Sequence, residues 1–196
     1  MKRFLAGLLP LTVIFVAGAI TGAVSYKYGL IPYEIFRPIY ECVASSKNKS
    51  FGPWSIGIYE GTSPFSLAPM RNVPNPVLTG KDIIDVDARY VADPFMIFNG
   101  ETYYMFFEVL NRVTRQGDIA YAESKNGRVW EYKKVVIDET FHLSYPYVFQ
   151  WQNDFYLIPE SHEDFSVRVY KAISFPETWQ YVGNIFSGVY RHVDNT

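Results

Sequence analysis

The sequence lacks the residues on which several large classes of protein depend. Cys42 is the only cysteine, so an internal disulfide or a cysteine-pair redox centre is excluded. Lysine and arginine are scattered and the net charge is -2, which leaves no basic stripe for a nucleic-acid partner. The three histidines have no zinc-site spacing, and there is no Gly-rich phosphate loop or serine elbow. The sequence therefore predicts no metal site and no cofactor.

Aromatic residues, by contrast, are abundant. Tyrosine occurs 16 times and phenylalanine 15 times, and aromatic residues make up 18% of the chain. Aromatic side chains favour β-strands over helices. The composition therefore predicts an all-β domain.

A repeated stretch organises the chain. ADPFMIFNGETYYMFFE, from Ala92 to Glu108, returns without gaps as SYPYVFQWQNDFYLIPE, from Ser144 to Glu160. DIAYAES, beginning at Asp118, is answered by VRVYKAI, beginning at Val167. A period of about 50 residues carrying several short aromatic strands is typical of a β-propeller blade.

The blades do not add up to a closed ring. Two complete blades are predicted, over 92–137 and 144–186, and Asn99-Gly100 marks the first hairpin of the first blade. WSIGIYEGTSPFSL and NPVLT, within 54–79, match the third and fourth strands of an earlier blade. Asp194 begins a third copy of the repeat. We therefore expect an incomplete propeller of about 2.5 to 3 blades over residues 51–196.

The N-terminal part predicts a membrane anchor. Residues 4–26 carry no charge and are long enough to cross a bilayer, and Lys2 and Arg3 precede them. We expect a cytoplasmic tip over 1–3, a single-pass signal anchor over 4–26 and a polar stalk over 27–50. The propeller would then lie on the extracytoplasmic or lumenal side. A cleaved signal peptide is the alternative, because small residues stand near a plausible cleavage point.

The motifs VADPF, YYMFFE, QGDIAYAES, HLSYPYVF, IPES and VDNT resemble the N-terminal domain of glucosamine inositolphosphorylceramide transferases, and the resemblance runs almost continuously from Trp54 to Thr196. The resemblance implies a five-bladed propeller of the arabinanase and fructosidase superfamily, here a partial one. In that family the sugar-transferring activity belongs to a separate exostosin-like domain. The resemblance therefore implies fold more directly than function.

Acidic residues recur at one rim of the predicted blades. The start of strand one, the end of strand two and the start of strand three lie at the same end of an antiparallel sheet. Carboxylates and aromatic rings at a funnel are suited to sugar recognition. The candidate ligand-binding residues are Asp93, Glu108, Asp118, His142, Tyr145 and Glu160, with Asp194 joining from a third blade.

Catalysis is a second interpretation of the same rim. Resemblance to arabinanase-type enzymes makes Asp93 the general base, with Asp194 as the candidate for the assisting Asp and Glu160 as the candidate for the acid Glu. Tyr145 departs from that pattern, because such enzymes usually carry an acidic residue at this position. The rim also admits structural interpretations: Asp93 as a turn residue, and Glu108 and Glu160 as a repeated blade-to-blade contact.

Three functions therefore stand side by side. The first is a membrane-anchored glycan-recognition or accessory propeller with a carbohydrate or glycolipid partner, and with a partner chain completing the ring as a further option. The second is a glycoside hydrolase. The third is a truncated, inactive fragment with exposed strand edges.

Overall fold

The computed structural model of the chain describes residues 54–194. This part is built from ten β-strands and two short 3-10 turns, Gly80–Asp82 and His162–Asp164. The prediction of an all-β fold is therefore confirmed. The predicted tip, anchor and stalk over 1–50 lie outside the described residues. Between residues 54 and 194, no helix is long and apolar enough to cross a membrane.

Each predicted repeat forms one four-stranded antiparallel sheet whose strands neighbour one another in chain order. The first sheet contains β3 (Ala88–Phe98), β4 (Tyr103–Asn111), β5 (Gly117–Ser124) and β6 (Glu131–Ile137). The second sheet contains β7 (Ser144–Trp151), β8 (Asp154–Glu160), β9 (Ser166–Ser174) and β10 (Thr178–Ser187). The strand β3 begins at Ala88, four residues before the repeat that marked it in the sequence.

The hairpin between β3 and β4 turns where the sequence predicts it. The N–H of Asn99 donates to the carbonyl of Thr102 at 3.2 Å, and Gly100 has a φ of 100°. The side-chain Oδ1 of Asn99 accepts from the backbone N–H groups of Glu101 and Thr102. An asparagine followed by glycine suits such a turn because both tolerate positive φ.

The sequence alignment of the third strands is off by one residue. It matches Tyr121 with Tyr170, but Tyr121 pairs with Phe106 whereas Tyr170 pairs with Leu157. Leu157 is the counterpart of Met105, whose partner is Ala122. Because a shift of one residue changes the face of a strand, Tyr170 faces the first sheet while Tyr121 faces the second.

The segment before the first sheet is less regular than a half-blade. It contains a small hairpin of β1 (Tyr59–Gly61) and β2 (Leu67–Pro69). The sequence predicts that this segment contributes the third and fourth strands of an earlier blade. The structure shows only one antiparallel bridge between them, from Ile56 to Leu78. The Asn75 side chain extends this bridge, since it accepts from Ile58 N–H at 2.8 Å and donates to Ile58 C=O at 2.9 Å.

Two hydrophobic cores lie on opposite faces of the first sheet. Neighbouring residues of β4 alternate between them, so Phe107 packs into one core and Phe106 into the other. The core around Phe107 includes Ile56 and Leu78 from the irregular segment. The core around Phe106 includes Leu157 of the second sheet. The two sheets therefore share one buried interface.

Candidate functional site

The site forms where the inner strand of each sheet is bulged. Pairing of β3 with β4 is interrupted between Ala92 and Phe95, and pairing of β7 with β8 is interrupted between Ser144 and Tyr147. A bulge leaves its extra residue unpaired and re-aims that side chain. The pairing between the first two strands of each sheet is thus interrupted at the same place in both repeats.

Left-handed backbone marks this place in all three repeats. Asp93 has a φ of 51°, Tyr145 of 47° and Asp194 of 51°. Few residues other than glycine adopt such φ values, and they concentrate at functional sites. The three repeats therefore share an uncommon backbone conformation at this position, although the residue there is Asp in the first, Tyr in the second and Asp in the third.

The carboxylates of the three repeats lie close enough to influence one another. The Asp194 N–H donates to Glu160 Oε2 at 3.0 Å. Burial raises the pKa of Asp93, a hydrogen bond from the Tyr145 backbone opposes this, and the negative charges of Asp194 and Glu160 raise the pKa further. The structure thus brings together Asp93, Tyr145, Glu160 and Asp194, which the sequence proposed for one rim.

Glu108 occupies the most enclosed position of the cluster. Only 4% of the residue is exposed, and its Oε1 lies 3.5 Å from both the Tyr90 hydroxyl and His142 Nε2. Burial, with the nearby charge of Asp93, raises the pKa of Glu108 to about 8, although the Tyr90 hydrogen bond acts against this rise. Glu108 is therefore a protonated acid at neutral pH.

His142 reaches Glu108 from the segment that leads into β7. Its Nδ1 accepts a hydrogen bond from the Gly117 N–H at 2.9 Å, so in the neutral ring the proton is on Nε2, facing Glu108. Burial and the charge of His162 lower the pKa of His142, against the opposing carboxylate of Glu163. The backbone N–H of His142 donates to Glu163 Oε2 at 3.0 Å.

Gly117 is required for this contact. A Cβ atom on Gly117 would lie 2.1 Å from the Leu143 carbonyl oxygen, 2.9 Å from the His142 ring and 3.0 Å from Glu108 Oε1. The absence of a side chain therefore allows the start of β5, the His142 ring and Glu108 to meet.

Glu160 has a different partner and a different ionisation. His162 Nδ1 lies 2.5 Å from Glu160 Oε1. Burial alone would raise the pKa of Glu160, but the hydrogen bonds from His162 and from the Asp194 N–H lower it below its usual value. Glu160 is therefore ionised at neutral pH, next to a neutral Glu108.

Aromatic contacts support the second bulge. The Phe95 ring packs edge-on against Tyr145 at 4.8 Å and against Tyr147 at 5.9 Å. The Tyr145 side chain is half-buried, so part of its surface is open at the rim. A ring held in this way is suited to stacking on the apolar face of a sugar.

Asp118 is separated from the other candidates. Glu108 pairs with Ile119 and Val109 pairs with Asp118, so Asp118 lies on the opposite face of the sheet from Glu108. Its Oδ2 accepts from the Asn111 side chain at 3.3 Å, while its buried Oδ1 has no hydrogen-bond partner among residues 54–194. Burial, with the charges of Asp138 and Asp85, raises the pKa of Asp118 to about 6.

Sequence reasoning missed Tyr90, Gly117 and the pairing of His162 with Glu160. The sequence does contain a signal for Tyr90, because Tyr90 precedes Asp93 by the same number of residues as His142 precedes Tyr145. Within residues 54–194, no group of three His, Cys, Asp or Glu side chains is arranged to hold a metal ion. The cluster instead offers hydrogen-bond acceptors, one neutral acid and an aromatic ring.

A family model described as the N-terminal part of glucosamine inositolphosphorylceramide transferase 1 matches residues 46–188. The transferase of that name from Arabidopsis thaliana is 36% identical over 175 residues, which cover 81% of this chain and 23% of the relative. Its counterpart in Oryza sativa subsp. indica is 38% identical over 143 residues, or 65% of this chain and 19% of the relative. The chain thus spans about a quarter of these relatives or less.

Two glycoside hydrolases of known structure show weak similarity. A family 117 enzyme from Zobellia galactanivorans aligns with a TM-score of 0.37 and 19% identity, covering 48% of this chain and 37% of that enzyme. A GH32 β-fructofuranosidase of Bombyx mori aligns with a TM-score of 0.45 and 13% identity, covering 59% and 27%. These alignments assign no role to any residue of the cluster. The family match, which covers most of the chain, shows that this chain belongs to the family of the N-terminal domain of glucosamine inositolphosphorylceramide transferase 1.

Proposed function

We propose that this chain is a carbohydrate-recognition domain, built as part of a five-bladed propeller, and that it binds sugar at the carboxylate cluster. The observation that carries the proposal is the proximity of the carboxyl groups of Asp93, Glu108, Glu160 and Asp194, next to Tyr145, whose backbone N–H donates to Asp93. Carboxylates accept hydrogen bonds from sugar hydroxyls, a protonated Glu108 donates one, and the ring offers a stacking surface.

An amino sugar is the ligand that suits this cluster best. The relatives are named for glucosamine, and a protonated amine is attracted to Glu160 and Asp93, which lie close to other carboxylates. Binding of such a cation also favours the ionised form of Asp93, whose pKa is raised by burial. We therefore expect glucosamine to bind more tightly than glucose or N-acetylglucosamine.

Calorimetric titration of the full-length chain with these three sugars tests the proposal. Asp93→Asn should weaken glucosamine binding by roughly tenfold, because a charge-assisted contact is lost. Glu101→Gln is the matched control, since Glu101 is exposed in the hairpin turn at the other end of β3. If none of the sugars binds, or if Asp93→Asn binds like the wild type, the cluster is not a sugar site.

One observation favours hydrolysis as a second function. Glu108 has a raised pKa and Glu160 a lowered one, and a glycosidase needs one neutral and one ionised carboxyl group. In this alternative Glu108, rather than Glu160 or Asp194, supplies the proton, while Asp93 or Glu160 acts as base.

Turnover separates the two functions. A hydrolase should cleave p-nitrophenyl β-glucosaminide or p-nitrophenyl α-arabinofuranoside, and Asp93→Asn should abolish cleavage while leaving binding largely intact. Glu108→Gln should lower kcat by about 100-fold or more. A recognition domain has no turnover to lose, so a wild type that binds sugar but cleaves neither substrate favours recognition over hydrolysis of these glycosides.

We further propose that residues 4–26 anchor the chain in a membrane with the propeller part on the extracytoplasmic or lumenal side. Resistance to alkaline extraction, with protease protection of residues 51–196 in sealed vesicles, supports this arrangement. Release by alkali would indicate a cleaved signal peptide or a peripheral association.

We also propose that further blades or a partner chain complete the ring. Solution mass and thermal unfolding of the full-length chain distinguish the cases. A cooperative transition supports a self-sufficient or self-associating unit. A broad transition with aggregation supports the inactive-fragment alternative.

A further inference from the structure

A second concave site lies between the irregular segment and the first sheet. It is a cavity of about 730 Å³, within the size range of small-molecule sites. Its lining includes the buried side chains of Ile83 and Ala88 and the more exposed Trp54, Lys81, Arg89 and Arg112. None of these residues takes part in the carboxylate cluster.

The turn that carries Lys81 is held in place. The N–H and Oγ1 of Thr79 donate to Asp82 Oδ2 at 2.7 and 2.8 Å, and the Lys81 N–H donates to Thr79 Oγ1 at 3.2 Å. Gly80 lies against the start of β3, where a Cβ would meet the Ala88 carbonyl oxygen at 3.2 Å. The cavity wall is therefore preorganised.

The charge of the lining is positive, although the whole chain carries -2. The lining includes three cations, Lys81, Arg89 and Arg112, against one anion, Asp87. Arg112 Nε lies 3.3 Å from Asp87 Oδ1, while no salt bridge joins Lys81 or Arg89 to another residue within 54–194. Two cations are thus available to a ligand.

Trp54 adds an apolar surface to this charge. It is 55% exposed and lines the same cavity. The volume is larger than a simple inorganic anion needs, and an exposed indole ring is suited to packing on the apolar face of a sugar.

We propose that this cavity binds an anionic sugar ester, with Lys81 and Arg89 contacting the phosphate or sulfate group and Trp54 contacting the sugar. The cavity lies at the same end of the first sheet as Glu108, because Ala88 pairs with Asn111 and Ala92 pairs with Glu108. Four residues of strand separate the two pairs, or roughly 13 Å. It is a separate site and does not rest on sugar binding at the carboxylate cluster.

Calorimetric titration of the full-length chain with glucose 6-phosphate, glucose 6-sulfate, inorganic phosphate and glucose tests the proposal. We expect one or both esters to bind, inorganic phosphate to bind more weakly and glucose not to use this site. The double variant Lys81→Ala/Arg89→Ala should weaken ester binding by at least about tenfold. Arg128→Ala is the matched control, because Arg128 is an exposed cation outside the cavity lining.

Two further measurements keep the proposal open to refutation if the double variant is unstable. Ester binding to the wild type should weaken between about 50 and 500 mM NaCl, because salt screens exposed charges. Trp54→Ala should weaken glucose 6-phosphate binding more than inorganic phosphate binding. The proposal is overturned if neither ester binds, or if ester binding is indifferent to salt and to both cations. The ester that binds more tightly identifies phosphate or sulfate as the preferred group.

Discussion

Glu108 and Glu160 occupy the same position in two consecutive repeats, but their pKa values are shifted in opposite directions. The Glu160 carboxylate accepts a hydrogen bond from the Asp194 N–H at 3.0 Å and lies 2.5 Å from His162 Nδ1, so its negative charge is stabilised. Glu108 has weaker partners: the Tyr90 hydroxyl donates to it at 3.5 Å and His142 Nε2 lies 3.5 Å away, so burial dominates. Two copies of one sequence motif thus supply one neutral and one ionised carboxyl group to the same site.

The ionisation of Glu108 predicts how stability depends on pH. The pKa of Glu108 rises from 4.5 to about 8 on folding, so the native state keeps a proton that the unfolded chain has lost at neutral pH. The free energy of unfolding should therefore fall as pH rises from about 4.5 through 8. Urea unfolding at about pH 7, 8 and 9 measures this decline. This pH range lies above the pKa of Asp118, about 6, and above the lowered pKa of His142, so the decline reports mainly on Glu108.

Glu108→Gln should remove that decline between about pH 7 and 9, because glutamine does not titrate. Glu101→Gln, an exposed carboxyl in the hairpin turn, should keep it. A wild-type stability that is flat over this range would contradict a protonated Glu108.

The contact with Gly117 predicts the tautomer of His142. Because its Nδ1 accepts the Gly117 N–H, nitrogen-detected NMR at pH 7 should show a neutral ring protonated on Nε2. His142→Asn keeps an acceptor near the Nδ1 position and should cost less stability than His142→Gln, which leaves the Gly117 N–H without that partner. A ring protonated on Nδ1 would be inconsistent with this hydrogen bond.

Gly117→Ala should be strongly destabilising, by about 2–4 kcal/mol. The new Cβ would lie 2.1 Å from the Leu143 carbonyl oxygen, and backbone cannot move aside as a side chain can. Gly188→Ala is the control, since its Cβ would meet only the partly exposed Phe186 ring, at 3.1 Å. Chemical denaturation measures both variants, and equal stabilities would mean that the Gly117 approach is not tight in solution.

Phe106→Ala should lower the free energy of unfolding by about 3–5 kcal/mol, because the fully buried ring belongs to the core shared by both sheets. Its ring packs edge-on against Trp179 of the second sheet at 5.4 Å. Hydrogen exchange should therefore show lost protection in β8 and β9 as well as in β4.

Phe98→Ala provides the comparison for this prediction, since Phe98 is 49% exposed at the hairpin. It should cost about 1 kcal/mol or less. If Phe106→Ala affected exchange only in the first sheet, the two sheets would not unfold as one unit.

Much of the fold could be predicted from local pattern. The repeat predicts two four-stranded sheets because strand alternation and turn residues are read within a few positions of one another, as at Asn99 and Gly100. The same reasoning placed Asp93, Tyr145 and Asp194 at equivalent positions, and all three share the left-handed backbone. It could not fix the register of β9. The repeat aligns Tyr170 with Tyr121, but a shift of one residue places the two side chains on opposite faces of their sheets.

The sequence by itself determined the all-β class, the repeat and the family to which the chain belongs, because these depend on patterns that recur along the chain. Only the tertiary structure decided the chemistry of the site. It placed Asp118 on the far face from Glu108, joined His142 to Gly117, and gave Glu108 and Glu160 opposite ionisation. The reason is physical: burial and hydrogen bonds from distant residues set the pKa of a carboxyl group, and identical local sequence does not fix those neighbours.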